Sequence, residues 1–401
     1  MITKDDLDLF TKGITKRLTL KGESNEFQAY KIPLDKLKYN VKNDRIASFI
    51  TQYYDDNQSL PINSEELNKE IEPFIINSNP DAFKKTRNNI KAIGQMEAAV
   101  VLSDGIVIDG NRRFTALRQL SKETGQAEFD YIEAVVLDRE KYNDKDIKRL
   151  ELNLQHAAES KVQYNPIDWL VGIYRDLVKK GHLFSPEEYA AETQLSLNKL
   201  REEINISKLL VEYLEYIQQP EKFHVARKQK VDGPIREVYK ILRSNKIDNQ
   251  DKDYIKEYLF SNLLTLDGDV TRIIRDLKPV FEDKSKLDRI IDDSQDILDE
   301  IDEQLINTEE DTSKRYSESV DIAKDVRNQL NNLTEEFIDE DRVSKAQYQP
   351  VDALRLALNH LDRIDTQAIS YFSGDIKEDF ERYLADIENQ IDAIRENLHA
   401  E

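Results

Sequence analysis

The most informative stretch of the sequence is Val107-Ile108-Asp109-Gly110-Asn111-Arg112-Arg113-Phe114-Thr115-Ala116-Leu117. It begins as an apolar run typical of a buried strand and continues from Arg112 with helical spacing. Gly110 stands at the turn, where the absence of a side chain lets a ligand approach the backbone. Two arginines in the first turn of a helix are better explained by a bound phosphate than by helix stability, because that end is already positive. The alternative is that Arg112 and Arg113 pair with nearby carboxylates such as Asp109. We call residues 109–113 the arginine box.

Short Val- and Ile-rich runs on both sides of the arginine box predict a sheet. They are bounded by Asp, Gly or Ser, as buried strands are, and they lie at 27–32, 98–102, 106–108 and 132–137. Helical patterns alternate with them at 44–54, 81–93, 113–124 and 145–158. We therefore expect residues 1–160 to form a compact α+β domain.

Beyond residue 160 the strand patterns stop, and we expect an all-α domain over residues 161–275. Asn165-Pro166 predicts a helix start. Ser185 and Glu188 form a capping-box pattern that begins a second, short helix. A break at 194–196 and a new helix from Leu197 complete a helix-turn-helix pattern, although a generic pair of helices gives the same pattern.

Charge is spread unevenly along the chain. Its 401 residues hold 58 Lys and Arg against 79 Asp and Glu, a net charge of −21. Residues 281–401 alone hold 33 acidic and 14 basic side chains. DNA repels a polyanion, but the part that precedes this acidic segment is almost neutral, so the charge does not exclude DNA there. We expect residues 276–401 to form an acidic helical domain, as helical hairpins or a small bundle or coiled coil, with breaks near 307–312, 339–350 and 373–374.

The chain contains no cysteine. This excludes a disulfide framework, a thiolate zinc site and a cysteine nucleophile, and it fits a reducing, cytoplasmic compartment. No run of about 18 apolar residues is present, so we expect no membrane span. The histidines are too dispersed for a metal cluster, and we predict no metal-ligating residues.

Several segments, taken in order, resemble the ParB N-terminal domain and the wider ParB/sulfiredoxin superfamily. The arginine box is similar to the family's Gly-Glu-Arg-Arg and Asp-Gly-x-x-Arg boxes. The other similar segments, in chain order, are Ile-Pro-Leu at 32–34 with Asn40 and Arg45, Gly94-Gln95 before a strand, Leu152-Asn153-Leu154-Gln155-His156, and Asn165-Pro166. The resemblance spans about residues 28–210. It implies a ParB/sulfiredoxin-like N-terminal domain followed by all-α helix-turn-helix and acidic helical domains.

The resemblance implies that the arginine box binds a nucleoside triphosphate, either CTP or ATP. The expected nucleotide-binding residues are Gly110, Asn111, Arg112, Arg113, Asn153, His156, Arg45 and Gln95. Leu152 departs from the family, which has a glutamate there that helps to hold the phosphates and Mg²⁺, and leucine cannot ligate magnesium. His156 departs as well, replacing an arginine, and a lone histidine is more often a packing or surface residue. Hydrolysis of the ParB type is therefore in question, and any CTPase or ATPase activity, with or without Mg²⁺, is expected to be weak.

The function expected from these features is that of a nucleotide-regulated DNA-associated protein, as a homodimer. The expected DNA-binding residues are Asn198, Lys199 and Arg201 in the second helix of the helix-turn-helix and Arg227, Lys228 and Lys230 beyond it; the alternative is a solvated helix surface. A second hypothesis is a superfamily phosphotransferase or NTPase in which Asp109 is a base or a magnesium ligand, although Asp109 more simply ends the strand. A third is a non-catalytic adaptor whose acidic domain binds a protein partner.

Overall fold

The computed structural model describes residues 1–157, 165–310 and 322–398 of the chain. Its six strands form one mixed sheet in the order β1-β2-β6-β4-β5-β3. The strands are β1 (Lys12–Leu20), β2 (Glu23–Pro33), β3 (Lys38–Tyr39), β4 (Ala99–Leu102), β5 (Ile106–Asp109) and β6 (Tyr131–Leu137). The four predicted strands are present, and the α+β class is confirmed. Two edge strands, β1 and β3, were not predicted.

The pairing of the strands places β4 between β6 and β5 in the sheet. β4 pairs parallel to β6 and antiparallel to β5, while β2 pairs antiparallel to both β1 and β6. At one edge β3 adds two residues parallel to β5. At the other edge the register of β1 shifts between Lys12 and Thr15, which marks an irregularity in this strand.

Helices cover both faces of the sheet. They are α1 (Lys4–Leu9), α2 (Ala47–Asp56), α3 (Ser64–Ser78), α4 (Pro80–Ile93), α5 (Asn111–Thr124) and α6 (Asp144–Ala157). Ala99 and Val101 of β4 face a core shared with α2 to α5. Val100 and Leu102 alternate to the opposite face, where the core includes Leu150 of α6. Both faces of β4 are therefore buried, which is why its sequence is continuously apolar.

The next part of the chain is helical, as expected. It comprises α7 (Pro166–Ile173), α8 (Pro186–Thr193), α9 (Leu197–Tyr216), α10 (Phe223–Lys228), α11 (Asp232–Leu242), α12 (Lys252–Thr265) and α13 (Val270–Phe281). Asn165 caps α7 by accepting from the Ile167 N–H, and the predicted capping box of α8 is present. The helix predicted from Leu197 is longer than its pattern indicated, because α9 has 20 residues.

Three long helices end the described chain: α14 (Lys284–Glu310), α15 (Lys324–Leu361) and α16 (Gly374–Leu398). The break predicted at 373–374 is confirmed by the start of α16. The break predicted at 339–350 is wrong, since α15 continues through Pro350; one proline removes one hydrogen bond but need not end a helix. The break predicted at 307–312 lies partly outside the described residues.

The contacts between residues divide the chain into two compact units, Met1–Phe337 and Ile338–Glu401. The sheet, α1 to α14 and the first part of α15 belong to the first unit. Within the described ranges, no helix is both long enough and apolar enough to cross a membrane.

Candidate functional site

A cavity of about 520 Å³ opens where β5 ends and α5 begins. Segments that are far apart in sequence form its walls: the arginine box, the loop before α2, the end of α3 with α4, and the end of α6. Its polar lining residues are Lys16, Asn43, Arg45, Ser78, Asn79, Lys85, Thr86, Asn89, Gln95, Glu97, Asp109, Asn111, Arg112, Arg113, Gln155 and Asn165. The sequence-predicted residues Arg45, Gln95 and Asp109–Arg113 are thus brought together in one place.

The first turn of α5 presents free backbone donors to this cavity. Gly110 is the N-cap with φ +99° and ψ 18°, and no side chain caps the helix. A Cβ at Gly110 would lie 2.8 Å from the Ala99 Cβ and 3.1 Å from the Arg113 guanidinium. Only glycine fits there, for both its backbone conformation and its space. An uncapped helix start with a close backbone approach is a preformed anion site.

Arg112 is a half-buried charge of the cavity. In the described part of the chain no carboxylate lies within ion-pair distance of it. Burial, together with the neighbouring charges of Arg45 and Arg113, lowers the pKa of Arg112 to about 10. Positive charges held close together at a half-buried position each disfavour the charged form of the other. An anion bound between Arg112 and the helix start would relieve this repulsion.

Arg113, by contrast, is held in a network of ion pairs. Its guanidinium donates to Glu97 at 2.6 Å and to Asp109 at 2.9 Å. Lys16 of β1 donates to the same Asp109 oxygen at 2.9 Å. Although burial acts in the opposite direction, the charges of Arg113 and Lys16 keep the pKa of Asp109 below its ordinary value. The expected alternative, in which an arginine of the box pairs with Asp109, therefore describes Arg113 and not Arg112.

Three buried polar atoms at this cavity have no hydrogen-bond partner: Asn111 Oδ1, Arg113 Nε and Gln155 Oε1. Buried polar groups are almost always paired, so such atoms call for an explanation. All three residues line the cavity.

The remaining predicted nucleotide residues have different placements. Gln95 donates to the Glu133 carbonyl at 2.6 Å and accepts from the Glu133 N–H at 2.9 Å, which ties the loop 94–97 to β6. Asn153 is half-buried and does not line the cavity, whereas Gln155 on the same helix does. The side chain of His156 lies outside the described residues. Leu152, the position that departs from ParB, packs in an apolar cluster with α7 to α9.

Three of the predicted DNA-binding residues share a shallow depression on the helical part. It is lined by Asn198, Lys199, Arg201, Glu202, Asn205, Tyr239 and Arg243. Lys199 is paired with Glu202 at 3.0 Å and Glu203 at 3.1 Å. Of the second predicted group, Lys228 and Lys230 are exposed. Arg227 forms an ion pair of 2.9 Å with the fully buried Asp168, and its guanidinium group lies 4.1 Å from the centre of the Phe49 ring. Its side chain therefore packs against the protein interior.

A buried charge cluster, which no sequence pattern indicated, lies next to the cavity. Lys148 of α6 contacts Asp44 and lies 3.5 Å from Glu151 and 3.6 Å from Asp176. All four residues are buried. One ammonium group cannot neutralise three carboxylates, and burial, with the repulsion from Asp44, raises the pKa of the Glu151–Asp176 pair to about 7.

This cluster predicts a fall in stability as the pH rises. The ordinary values are 4.5 for Glu151 and 3.8 for Asp176, so the folded state holds protons that the unfolded chain releases. The stabilisation is complete below about pH 4 and is lost as the pH rises through about 7. We expect the free energy of unfolding, measured in urea, to decrease between pH 5 and pH 8, and Asp176→Asn to reduce this decrease. An equal pH dependence in both proteins would contradict the assignment.

Comparison with protein-family models, with curated proteins and with solved structures gives no match to this chain. The similarity of the arginine box to ParB therefore remains an expectation drawn from the residues. The described residues also contain no group of three or more His, Asp or Glu that could hold a metal ion. Function must be inferred from the chemistry of the cavity itself.

Proposed function

We propose that this chain binds a nucleoside triphosphate at the arginine box and that nucleotide occupancy changes how its helical part binds DNA. The observation that carries this proposal is the half-buried Arg112, which faces Arg45 and Arg113 without an ion-pair partner in the described residues. Together with the uncapped start of α5, it favours a multiply charged anion over a neutral ligand.

The rest of the cavity supports a nucleotide rather than a bare phosphate. Small-molecule sites commonly have volumes of roughly 300–1,000 Å³, and the 520 Å³ here exceeds what a single phosphate needs. Away from the arginine box, α4 lines the cavity with Thr86 and Asn89 beside apolar Ile90 and Ile93. A flat base and a ribose need this combination of hydrogen-bonding groups and apolar surface.

The link to DNA rests on the path from the cavity to the helical part. Asn165 lines the cavity and also caps α7. On α7, the Trp169 indole donates to Glu203 of α9 at 3.2 Å, and α9 is the second helix of the predicted helix-turn-helix. A ligand that contacts Asn165 therefore acts on the helix next to the predicted DNA-binding surface.

The geometry of Asp109 disfavours its role as a general base in the phosphotransferase alternative. A general base must accept a proton, but the Asp109 carboxylate is held by both Lys16 and Arg113 and its pKa is lowered. Such a group remains ionised and accepts protons poorly. The role of Asp109 in this proposal is to position Arg113 and Lys16.

Thermal denaturation with CTP, ATP, GTP and ADP, each with and without Mg²⁺, tests nucleotide binding. A ligand at about 100 times its Kd stabilises the folded state by roughly 2.7 kcal/mol, so at least one nucleotide should raise the melting temperature. Fluorescence anisotropy with duplex DNA, with and without that nucleotide, tests the coupling. If no nucleotide shifts the melting temperature, the proposal fails. If the nucleotide binds but leaves DNA binding unchanged, the DNA part fails.

Glu97 competes with the proposed ligand, which leads to a separate prediction. Its carboxylate accepts from Arg113 and lies 3.8 Å from Lys16, although 69% of the side chain is exposed. It thus occupies positions that a phosphate oxygen would take. Because an exposed ion pair contributes about 0.2–1 kcal/mol, Glu97→Gln should raise nucleotide affinity by roughly 1.4- to fivefold.

Isothermal titration of the nucleotide measures this effect. The matched control is Glu140→Gln, which removes the same charge from an exposed residue outside the cavity. Weaker binding by the Glu97 variant would show that Glu97 contacts the ligand instead of competing with it.

A further inference from the structure

The buried charge cluster beside the cavity joins three separate segments of the chain. Lys148 and Glu151 lie on α6, and Asp44 begins the short 3-10 turn before α2. Asp176 lies in a π-helical turn, Tyr174–Val178, that continues α7. None of the four charged residues is more than 8% exposed. Turns of the π type are uncommon and are frequent at functional sites, so this cluster calls for more than a packing role.

The cluster holds more negative charge than its own residues neutralise. The Lys148 ammonium lies within ion-pair distance of all three carboxylates. The Oδ2 atom of Asp176 has no hydrogen-bond partner among the described residues. A Cβ at Gly172 would lie 3.1 Å from the carboxyl carbon of Asp44, so α7 packs directly against this carboxylate. Because the ammonium already lies among the carboxylates, a proton, and not a metal ion, is the positive charge that the cluster can add.

Charged groups on the neighbouring elements act on the cluster from outside. Arg45 follows Asp44 in the chain, and Asp168 of α7 is paired with Arg227 of α10. Burial raises the pKa of Asp168 to about 6; Arg227 opposes this shift, and the charge of Asp44 adds to it. The charged groups between α6 and α8 form ion pairs with one another: Lys145 with Glu188, and Arg149 with Glu192. Of all these outer groups, Arg45 alone also lines the cavity.

Arg45 is the charge that the cavity and the cluster share. On the side of the cavity, burial lowers the pKa of Arg112, and the charge of Arg45 lowers it further. On the side of the cluster, burial raises the pKa of Glu151, whereas the charges of Lys148 and Arg45 act in the opposite direction. Gln155 provides a second connection, because it lines the cavity and its Nε2 donates to Glu151 at 3.2 Å. A charge that binds in the cavity therefore changes the electrostatic potential at the cluster.

We propose that the Glu151–Asp176 pair is a proton-binding site coupled to the anion site through Arg45, so that the protein takes up a proton when the nucleotide binds. This inference rests on the proposed function, since it describes how the same cavity is regulated. A phosphate bound against Arg45 and Arg112 offsets the positive charge that keeps Glu151 ionised, which favours the protonated form. Because such coupling is reciprocal, the protonated cluster binds the nucleotide more tightly. Nucleotide affinity therefore falls as the pH rises through about 7.

Titration calorimetry with ATP and with CTP, in buffers of low and high ionisation enthalpy at about pH 7, measures the protons taken up on binding. Wild-type protein should take up more protons than Glu151→Gln, which keeps an acceptor for Gln155 but does not titrate. The terminal phosphate of the nucleotide and Asp168 titrate nearby, but both are present in the two proteins and cancel in the difference. The matched control, Glu140→Gln, removes an exposed carboxylate and should behave as wild type.

The pH dependence of the affinity gives a second readout. From about one pH unit below to one above the pKa of the pair, the affinity of the wild-type protein should fall by roughly threefold or more relative to that of Glu151→Gln. Asp176→Asn removes the other carboxylate of the pair and should act in the same way, so the test does not depend on one variant. Equal proton uptake and parallel affinity profiles in wild type and both variants would overturn the proposal and leave nucleotide binding intact.

The ligand-free protein tests the coupling without any nucleotide. Arg45→Ala removes the shared charge and should raise the pH at which the Glu151 carboxyl group titrates, as followed by NMR. An unchanged titration would overturn the coupling through Arg45. If neither nucleotide binds, the proposed function fails, and this measurement still decides whether Arg45 controls the proton on the cluster.

Discussion

Replacing Arg112 by alanine is expected to abolish most nucleotide binding without destabilising the protein. Losing one partner of a desolvated charge pair costs about 2–5 kcal/mol, which corresponds to an affinity loss of roughly 30-fold or more. The folded protein should melt at the same or a higher temperature, because burial and the charges of Arg45 and Arg113 already disfavour the charged form of Arg112. This combination, lost binding with retained stability, is typical of a residue kept for function.

Arg17→Ala is the matched control for the Arg112 variant. Arg17 follows Lys16 on β1, but it is exposed and does not line the cavity. Its removal takes away the same charge from the same domain and should leave nucleotide affinity within about twofold, as exposed charges contribute little. If both variants bind equally well, the anion does not bind at Arg112. If the Arg112 variant is much less stable, the residue has a structural role that the contacts do not show.

Replacing Gly110 by alanine should destabilise the fold and remove the anion site together. The residue has φ +99°, which costs a residue with a side chain about 1–2 kcal/mol. The new methyl group would also lie 2.8 Å from the Ala99 Cβ, in the centre of the sheet. Overpacking of this kind costs about 1–3 kcal/mol more. Urea unfolding should therefore show a loss of roughly 2–5 kcal/mol.

Gly125→Ala distinguishes the cost of the backbone conformation from the cost of the close contact with Ala99. Gly125 ends the same helix with φ +62°, but a Cβ there meets nothing within 4 Å. This variant should lose only the conformational part, about 1–2 kcal/mol, and should bind the nucleotide normally. Equal destabilisation by the two variants would show that Ala99 moves aside and that the close contact has no energetic cost.

Two of the strands that the sequence reveals, β4 and β5, have buried residues on both faces. β4 and β5 are continuous Val- and Ile-rich runs because the sheet is covered on both sides, and such runs are visible without a structure. β1 was missed because it lies at an edge, where among its nine residues only Leu18 and Leu20 are buried. β3, with two residues, is too short to leave a pattern.

Local sequence rules predict the site only where its residues follow one another in the chain, and Arg45 and Gln95 were expected there from the resemblance alone. The arginine box is one such segment, and its strand, turn and helix start could be predicted from local rules. Lys16 reaches Asp109 across 93 positions, and Gln155 and Asn165 reach the cavity from the other end of the domain. The cluster around Lys148 is equally non-local, since it joins Asp44 to Asp176. Contacts of this kind arise from the packing of the sheet on its helices, which no short pattern records.

The two edges of the sheet limit how copies of this protein can associate. Exposed edge strands are templates for pairing with another chain, and proteins protect them with charges, irregular register or short length. β1 has Lys12, Lys16 and Arg17 and a shifted register, and β3 has only two residues. Neither edge offers a flat, apolar ladder, so continuous sheets and amyloid-like aggregation through this domain are disfavoured. We therefore expect copies of this protein to associate in an ordered way only through the side-chain surfaces of helices. Shape and charge, and not backbone hydrogen bonding, set the specificity of such contacts.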